Sequence, residues 1–410
     1  MIELRKHQTE SIAAADAAFK SGATNVCLVL PTGAGKTIVK AEYAKRMRND
    51  GKVCIVFAHR DVLLEQISKA LCLMGVYHSF IASKSTINMI TNINQESFGN
   101  SFYDPVSTII VASVDTFFRR DVSQLAPMVE FWMLDETHHL TIGSKWHKCI
   151  ELLPNAKGLG VTATPIRADK KGLGRGKFIK YDADENPIYD NDGLFDDLVD
   201  VTNMGDLIAK NMLSTYRIFT PPSLVDTSLV NTTAGGDFNQ KKLAKETDKS
   251  NITGDVIKHY KSLANGKRAI CFTVNIEHGN HVAEQFRQAG INAVNLSSND
   301  TPTHRNNEIA KFKRGEIQVL INCDLFGEGF DVPAVEVVIM LRKTLSYSLF
   351  KQQFGRMLRI LDGKPYGILI DHVGNVHHFM DKFHLEYPHD DPEWTLERQP
   401  KAPKHSPNPN

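Results

Sequence analysis

Short apolar runs alternate along the chain with longer stretches whose apolar positions recur every three or four residues, and the alternation occurs twice. In the first half, apolar runs at 25–30, 53–57, 108–111, 131–134 and 158–161 predict buried strands, and the stretches at about 37–48 and 61–74 predict helices between them. Two parallel strands need a crossover connection, and a helix that supplies it covers a face of the sheet. The pattern therefore predicts a parallel sheet with helices on both faces. A second alternation has strands expected at 269–273, 293–296, 318–322, 335–340 and 367–370, with helices at about 276–289, 302–313 and 346–358.

Between the halves the pattern breaks. Residues 167–180 hold six Lys/Arg and three glycines, and residues 181–200 hold eight Asp/Glu and no basic residue. Both read as one long surface excursion. Residues 225–252 are polar and read as a loop or an exposed helix. From Phe379 onward the chain is rich in Pro, His and charge, and 401–410 is expected to be disordered. The fold class expected is α/β: two tandem domains at 1–205 and 206–378, each a mostly parallel sheet flanked by helices, and a partly disordered tail at 379–410.

Composition adjusts this picture little. In 410 residues, 42% hydrophobic and 23% charged positions suffice for two buried cores. A net charge of +1 provides no general attraction for nucleic acid, so any such binding must come from local clusters lining a groove. None of the six cysteines forms a CxxC pair, and Cys27, Cys54, Cys271 and Cys323 fall in apolar runs. That usage fits buried, reduced thiols and a cytoplasmic protein. The charged start, Met1 to Lys6, does not read as a leader peptide, and no apolar stretch approaches the length of a membrane span, ~20 residues.

The clearest chemistry is Pro31-Thr32-Gly33-Ala34-Gly35-Lys36-Thr37, placed between a predicted strand and a predicted helix. Glycines there let backbone N–H groups turn inward around phosphate oxygens, and the helix start adds positive potential. Lys36 is expected to reach the β- and γ-phosphates of ATP and Thr37 to place its hydroxyl on Mg²⁺. Leu30 stands where the general phosphate-loop pattern has its first glycine. Asp135-Glu136-Thr137-His138 ends the strand expected at 131–134, the sheet edge where α/β ligands bind. Asp135 is expected to hold Mg²⁺ through water, and Glu136 to orient and deprotonate an attacking water. In the second half, Gln352, Arg356 and Arg359 fall on a predicted helix. The two arginines are three apart, so they are expected to share a helix face and act as fingers on the γ-phosphate.

In this order the motifs resemble those of superfamily 2 helicases of the DExH type, and most closely the bacterial RadD family of DNA-repair ATPases. The resemblance spans about residues 2–378. It rests on Leu4-Arg5-Lys6-His7-Gln8, the phosphate loop, Ala58-His59-Arg60 with Gln66, Ala112-Ser113-Val114-Asp115-Thr116, the acidic tetrad and Val161-Thr162-Ala163-Thr164-Pro165. Cys271-Phe272-Thr273, the run Gly327 to Pro333 and the glutamine–arginine helix complete it. The resemblance implies two RecA-like lobes with ATP hydrolysed in the cleft between them. It implies that Arg5 and Gln8 read the adenine, and that Gly329 and Asp331 lie near the ribose and phosphates. Thr162 and Thr164 would couple hydrolysis to lobe movement, and Arg60, Ser113, Thr273 and Asn275 would hold a nucleic-acid backbone. It implies a DNA helicase or translocase, single-stranded or branched DNA as its substrate, recombination or single-strand-binding proteins as partners, and action as a monomer. Two departures stand out: His139 occupies a position where those relatives carry arginine, and no cysteine follows Cys323 to build their zinc region. The chain is thus expected to be a short or truncated version. Two alternatives stay open: an ATP-switched clamp that grips without unwinding, and an RNA-directed motor.

Other features have plainer readings. The basic run 167–180 fits a strand guide and a solvated loop equally well. His278 and His281 lack partners at metal-ligand spacing, and Trp394 is expected to pack against a lobe.

Overall fold

The computed structural model describes residues 3–182, 187–222, 227–228, 230–233, 236–249, 252–323 and 335–398. The first lobe contains β1 (Asn25–Val29), β2 (Val53–Ala58), β3 (Ser79–Ile81), β4 (Ile109–Ser113), β5 (Val129–Asp135) and β6 (Lys157–Thr162). A ribbon of β7 (Phe178–Tyr181) and β8 (Pro187–Tyr189) follows, and then β9 (Asp197–Asp200). The second lobe contains β10 (Tyr216–Phe219), β11 (Ala269–Phe272), β12 (Ala293–Leu296), β13 (Val319–Asn322), β14 (Val337–Met340) and β15 (Gly367–Asp371). The sheets run β3-β4-β2-β5-β6-β1-β9 and β10-β15-β14-β11-β13-β12. All their pairings are parallel, whereas the β7–β8 ribbon is antiparallel.

The central strands are buried along their length, and their side chains alternate between two covered faces, as a sheet with helices on both sides requires. Val26 and Leu28 of β1 enter one apolar cluster while Cys27 enters another. In the second lobe, Ile270 and Phe272 face one side and Ala269 and Cys271 the other. The first of these clusters is continuous between lobes, running from Val26 and Leu28 through Leu213 to Phe354, Met357 and Leu358. The lobes therefore share apolar packing in addition to the polar cleft described below.

Three expectations need correction. The acidic stretch 181–200 is not simply a surface excursion, because Asp197–Asp200 pairs with β1 as the edge strand of the first sheet. An edge strand tolerates acids on its solvent side, and the neighbouring Asp196 carboxylate accepts from the N–H groups of Thr24 and Asn25, each at 2.9 Å. Secondly, the tail expected from 379 begins inside the helix Asn375–Phe383, and the segment through 398 is packed. Tyr347 Oη donates to the Asp390 carbonyl at 2.9 Å, Trp394 lies 6.2 Å from the Tyr347 ring, and Arg398 forms a two-pronged pair with Asp192 of the first lobe. Residues 401–410, expected to be disordered, lie outside the described residues. Thirdly, the arginine helix is shorter than expected, spanning Tyr347–Arg356, so Arg359 sits in the turn beyond it. The expected domain border at 205/206 falls within the short helix Met204–Ala209, between the two sheets.

Candidate active site

The phosphate loop connects β1 to the helix Lys36–Asn49, with Gly35 as its N-cap. Gly33 and Gly35 have φ of +90° and +89°, a left-handed conformation that side chains with a Cβ rarely adopt. Space is limiting too: a Cβ on Gly35 would come within 2.3 Å of Gln8 Nε2, and one on Gly33 within 2.7 Å of Leu213 Cδ2. The loop is held from behind, because Leu30 N donates to the Thr162 carbonyl at 2.8 Å and Ala34 N to the Pro31 carbonyl at 3.1 Å. His7 Nε2 and Gln8 Nε2 both contact the Ala34 carbonyl, at 2.9 and 3.0 Å. Here Gln8 braces the loop and Arg5 lines the cavity.

Asp135 ends β5 beside this loop. Its Oδ2 lies 2.6 Å from Lys40 Nζ, an ion pair with both side chains buried. Burial alone would raise the Asp135 carboxyl, but Lys40, Lys36 and the Glu136 N–H together hold it below the usual carboxylate value. Lys36 is shifted down by desolvation, with Glu136 and Asp135 pulling it back up. An incoming triphosphate would supply the negative charge that this lysine lacks. Lys40 is absent from the sequence reading. The only signal for it is its spacing, one helical turn after Lys36 and hence on the same face. Glu136 adopts φ 53° and ψ 60°, a left-handed conformation strained for a residue with a Cβ, and its Oε2 lies 3.6 Å from His138 Nδ1.

The second lobe completes the enclosure. A cavity of about 410 Å³ is lined by Thr32, Lys36, Thr37, Asp135 and Glu136 from the first lobe and by Gln352, Arg356 and Arg359 from the second. Gln352 and Arg356 are buried. At Gly355, between them, an added Cβ would meet Thr32 Cβ at 2.8 Å, so the arginine helix lies directly against the phosphate loop. Met212, Leu213 and Ile360 give the cavity an apolar border. No motif in the sequence marks them.

The remaining expected residues are dispersed. Thr162 and Thr164 are fully buried and close a tight local turn, with Thr162 Oγ1 donating to the Thr164 carbonyl at 3.1 Å and accepting from Thr164 N at 3.2 Å. Arg60 is exposed just beyond β2, and Ser113 is the N-cap of the helix Val114–Arg119. Thr273 is buried, its hydroxyl 3.3 Å from the Asn322 carbonyl, while Asn275 caps the helix Ile276–Gln288 by accepting from His278 N at 2.7 Å. As placed, both are engaged in local structure. Gly329 and Asp331 lie outside the described residues. In the basic run, Arg167 pairs with Asp169 and donates to the His138 carbonyl, and Arg175 pairs with Asp196. These two cations serve the fold.

Two α/β lobes meeting across a phosphate loop, an acidic strand end and an arginine helix form the two-lobed RecA-like fold. Comparison with known proteins narrows the class. Residues 1–167 match the family described as type III restriction enzyme, res subunit, and residues 249–361 match the helicase conserved C-terminal domain. A 51.5 kDa protein of a Lactococcus phage (isolate 7-9) is 28% identical over 85% of this chain and 65% of its own length. The Saccharomyces cerevisiae protein named as the ATP-dependent helicase IRC3 is 26% identical over 90% of this chain and 51% of its own. Among solved structures, the type ISP restriction-modification enzyme LlaBIII bound to DNA superposes with a TM-score of 0.60 at 17% identity, over 91% of this chain and 28% of that one. A fragment of an HsdR-type subunit of a type I restriction enzyme from Vibrio vulnificus YJ016 gives 0.63 at 17% identity, over 95% and 67%. In residues 1–167 and 249–361 the chain is similar to the ATP-driven domains of superfamily 2 helicases and restriction enzymes. It spans between about half and two thirds of the length of these curated relatives. Among the described residues, no helix is long and apolar enough to cross a membrane.

Proposed function

We propose that the chain is a DNA-directed motor of the DExH type, with RadD-like chemistry, that converts ATP hydrolysis between its lobes into movement along a strand and serves DNA repair or recombination. The observation carrying this reading is the shared cavity: Lys36 and Glu136 from one lobe face Arg356 and Arg359 from the other. In this reading Lys36 and the loop amides grip the β- and γ-phosphates, Arg5 and Gln8 serve the adenine, and Glu136 activates water. Gln352, Arg356 and Arg359 bear on the γ-phosphate. Thr37 and Asp135 would hold Mg²⁺. The buried, ionised Asp135 fits that role, with Lys40 yielding part of its hold on the carboxylate. When bound, the metal would supply charge neutralisation for the phosphates.

Triphosphate charge draws the arginine helix toward the phosphate loop, and loss of the γ-phosphate weakens that attraction. Arg60 and Ser113 on the first lobe, with Thr273 and Asn275 on the second, would hold the strand backbone, and Thr162 and Thr164 would carry the change between sites. Phosphate contacts would dominate, giving low sequence specificity and strong salt dependence. The near absence of net charge fits a local groove in place of a general one. Monomeric action in the cytoplasm, with recombination or single-strand-binding proteins as partners, completes the reading.

The test is ATPase stimulation by single-stranded, duplex and branched DNA and by RNA at one salt concentration, together with strand displacement. The expected result is stimulation by single-stranded or branched DNA with displacement. Stimulation by RNA alone would make it an RNA motor, and ATP-dependent binding without displacement would make it a clamp.

A further inference from the structure

Beside the catalytic glutamate lies an aromatic cluster to which the reaction assigns no role. His138 and His139 follow Glu136 in a single turn of 3-10 helix, Thr137–His139, and their rings lie 4.4 Å apart. The His139 ring stacks on Trp146 at 5.8 Å with only 5° between planes. The His59 ring meets both edge-on, at 5.1 Å from His139 and 5.6 Å from Trp146. His59, His139 and Trp146 are all only partly buried, and the residue after His59 is the exposed Arg60.

Trp146 is also tied to the other strand-contacting element of the first lobe. It belongs to the helix Lys145–Glu151. Lys145 forms an ion pair with Asp115, and Cys149 Sγ lies 3.8 Å from the Val114 carbonyl. Both partners sit in the first turn of the helix that Ser113 caps. Arg60 thus reaches the cluster through His59, and Ser113 reaches it through the helix that carries Trp146. The cluster in turn abuts the Glu136 turn, whose left-handed φ of 53° costs about 1–3 kcal/mol and persists only while its surroundings enforce it. The two elements and the Glu136 turn are thus joined by contiguous packed side chains, the kind of path along which coupling between sites can travel.

We propose that Trp146 is a positioning residue: stacked on His139 and flanked by His59, it transmits arrival of a nucleic-acid strand at Arg60 and Ser113 to the turn that aims Glu136. The inference rests on the reading of Arg60 and Ser113 as strand contacts. Trp146 does not line the nucleotide cavity, and the turn has other supports: Arg167 donates to the His138 carbonyl, and Leu140 N to the Thr137 carbonyl at 2.9 Å. Hydrolysis without a strand therefore does not depend on Trp146.

The test compares Trp146→Leu, which keeps an apolar side chain without a flat ring, with Trp146→Phe, which keeps a ring. ATPase is measured with and without a single-stranded DNA oligonucleotide, and oligonucleotide affinity by fluorescence anisotropy. Trp146→Leu is expected to retain strand-free turnover, KM for ATP and oligonucleotide affinity, while the fold-stimulation drops about tenfold, within the usual range of coupling between sites. Trp146→Phe should recover most of it. Undiminished stimulation in Trp146→Leu overturns the proposal. So does a parallel loss of strand-free turnover, affinity and stimulation in both variants, which marks a structural residue. Wild-type protein that no strand stimulates would instead overturn the motor reading, and the inference with it.

Discussion

The first lobe brings to the cavity a loop, a strand end and two lysines already fixed by one another, whereas the second brings the end of one helix and the turn after it. On the first side, His7 and Gln8 brace Ala34, Lys40 pairs with Asp135, and the glycines of the loop are fixed by backbone conformation and close neighbours. On the second, Gln352, Arg356 and Arg359 depend for their place on how the lobes pack. On the proposed function, one side binds the nucleotide and the other responds to it. A site assembled within one lobe survives hinge motion, while groups delivered from the other lobe act only when the hinge is closed.

Substitutions on the two sides should therefore differ in kind. Lys36→Ala removes the cation proposed to meet the phosphates, so both nucleotide affinity and turnover should fall, the latter to background in a coupled ATPase assay. Arg356→Ala should lower kcat by about 10³-fold while a fluorescent ATP analogue still binds within a few-fold of wild type, as expected of an arginine that acts on transition-state charge. Equal losses of binding and turnover in Arg356→Ala would erase the distinction. A smaller effect, on stability, sharpens it. Lys40→Met leaves the Asp135 carboxylate buried without its closest cation and should cost about 3–5 kcal/mol of unfolding free energy in denaturant titration. Because Mg²⁺ at Asp135 would take the place of that charge, MgATP should restore part of the loss. An unchanged midpoint would show that the pair is not formed.

The same contrast explains what could be read from the sequence. The phosphate loop is contiguous and has a strand–loop–helix setting, so the residues alone point to Lys36 and Thr37, which line the cavity. Asp135 follows from its position at the end of an apolar run. The two parallel sheets are legible because buried strands are unbroken apolar runs. The short β3 and the acid-bearing β9 lie at sheet edges, where that signal fades. Lys40 looks like any helical lysine until the fold turns it toward Asp135. Trp146 and His59 are 87 positions apart in the numbering, and only folding brings their rings together. Arg359 was assigned to the helix because spacing alone does not show that the helix stops at Arg356.

The account depends on the phosphate loop and the arginine helix meeting, which is most direct to test where they touch, at Thr32 and Gly355. Cysteines introduced as Thr32→Cys and Gly355→Cys should close a disulfide under mild oxidation, since the 2.8 Å between Thr32 Cβ and a Cβ built on Gly355 needs only about 1 Å of relaxation to reach disulfide geometry. Peptide mass spectrometry should find the 32–355 link without added nucleotide, and each single variant should lack it. If both introduced thiols react with maleimide and the link forms in neither the nucleotide-free nor the ATP-bound state, the lobes do not share this cavity.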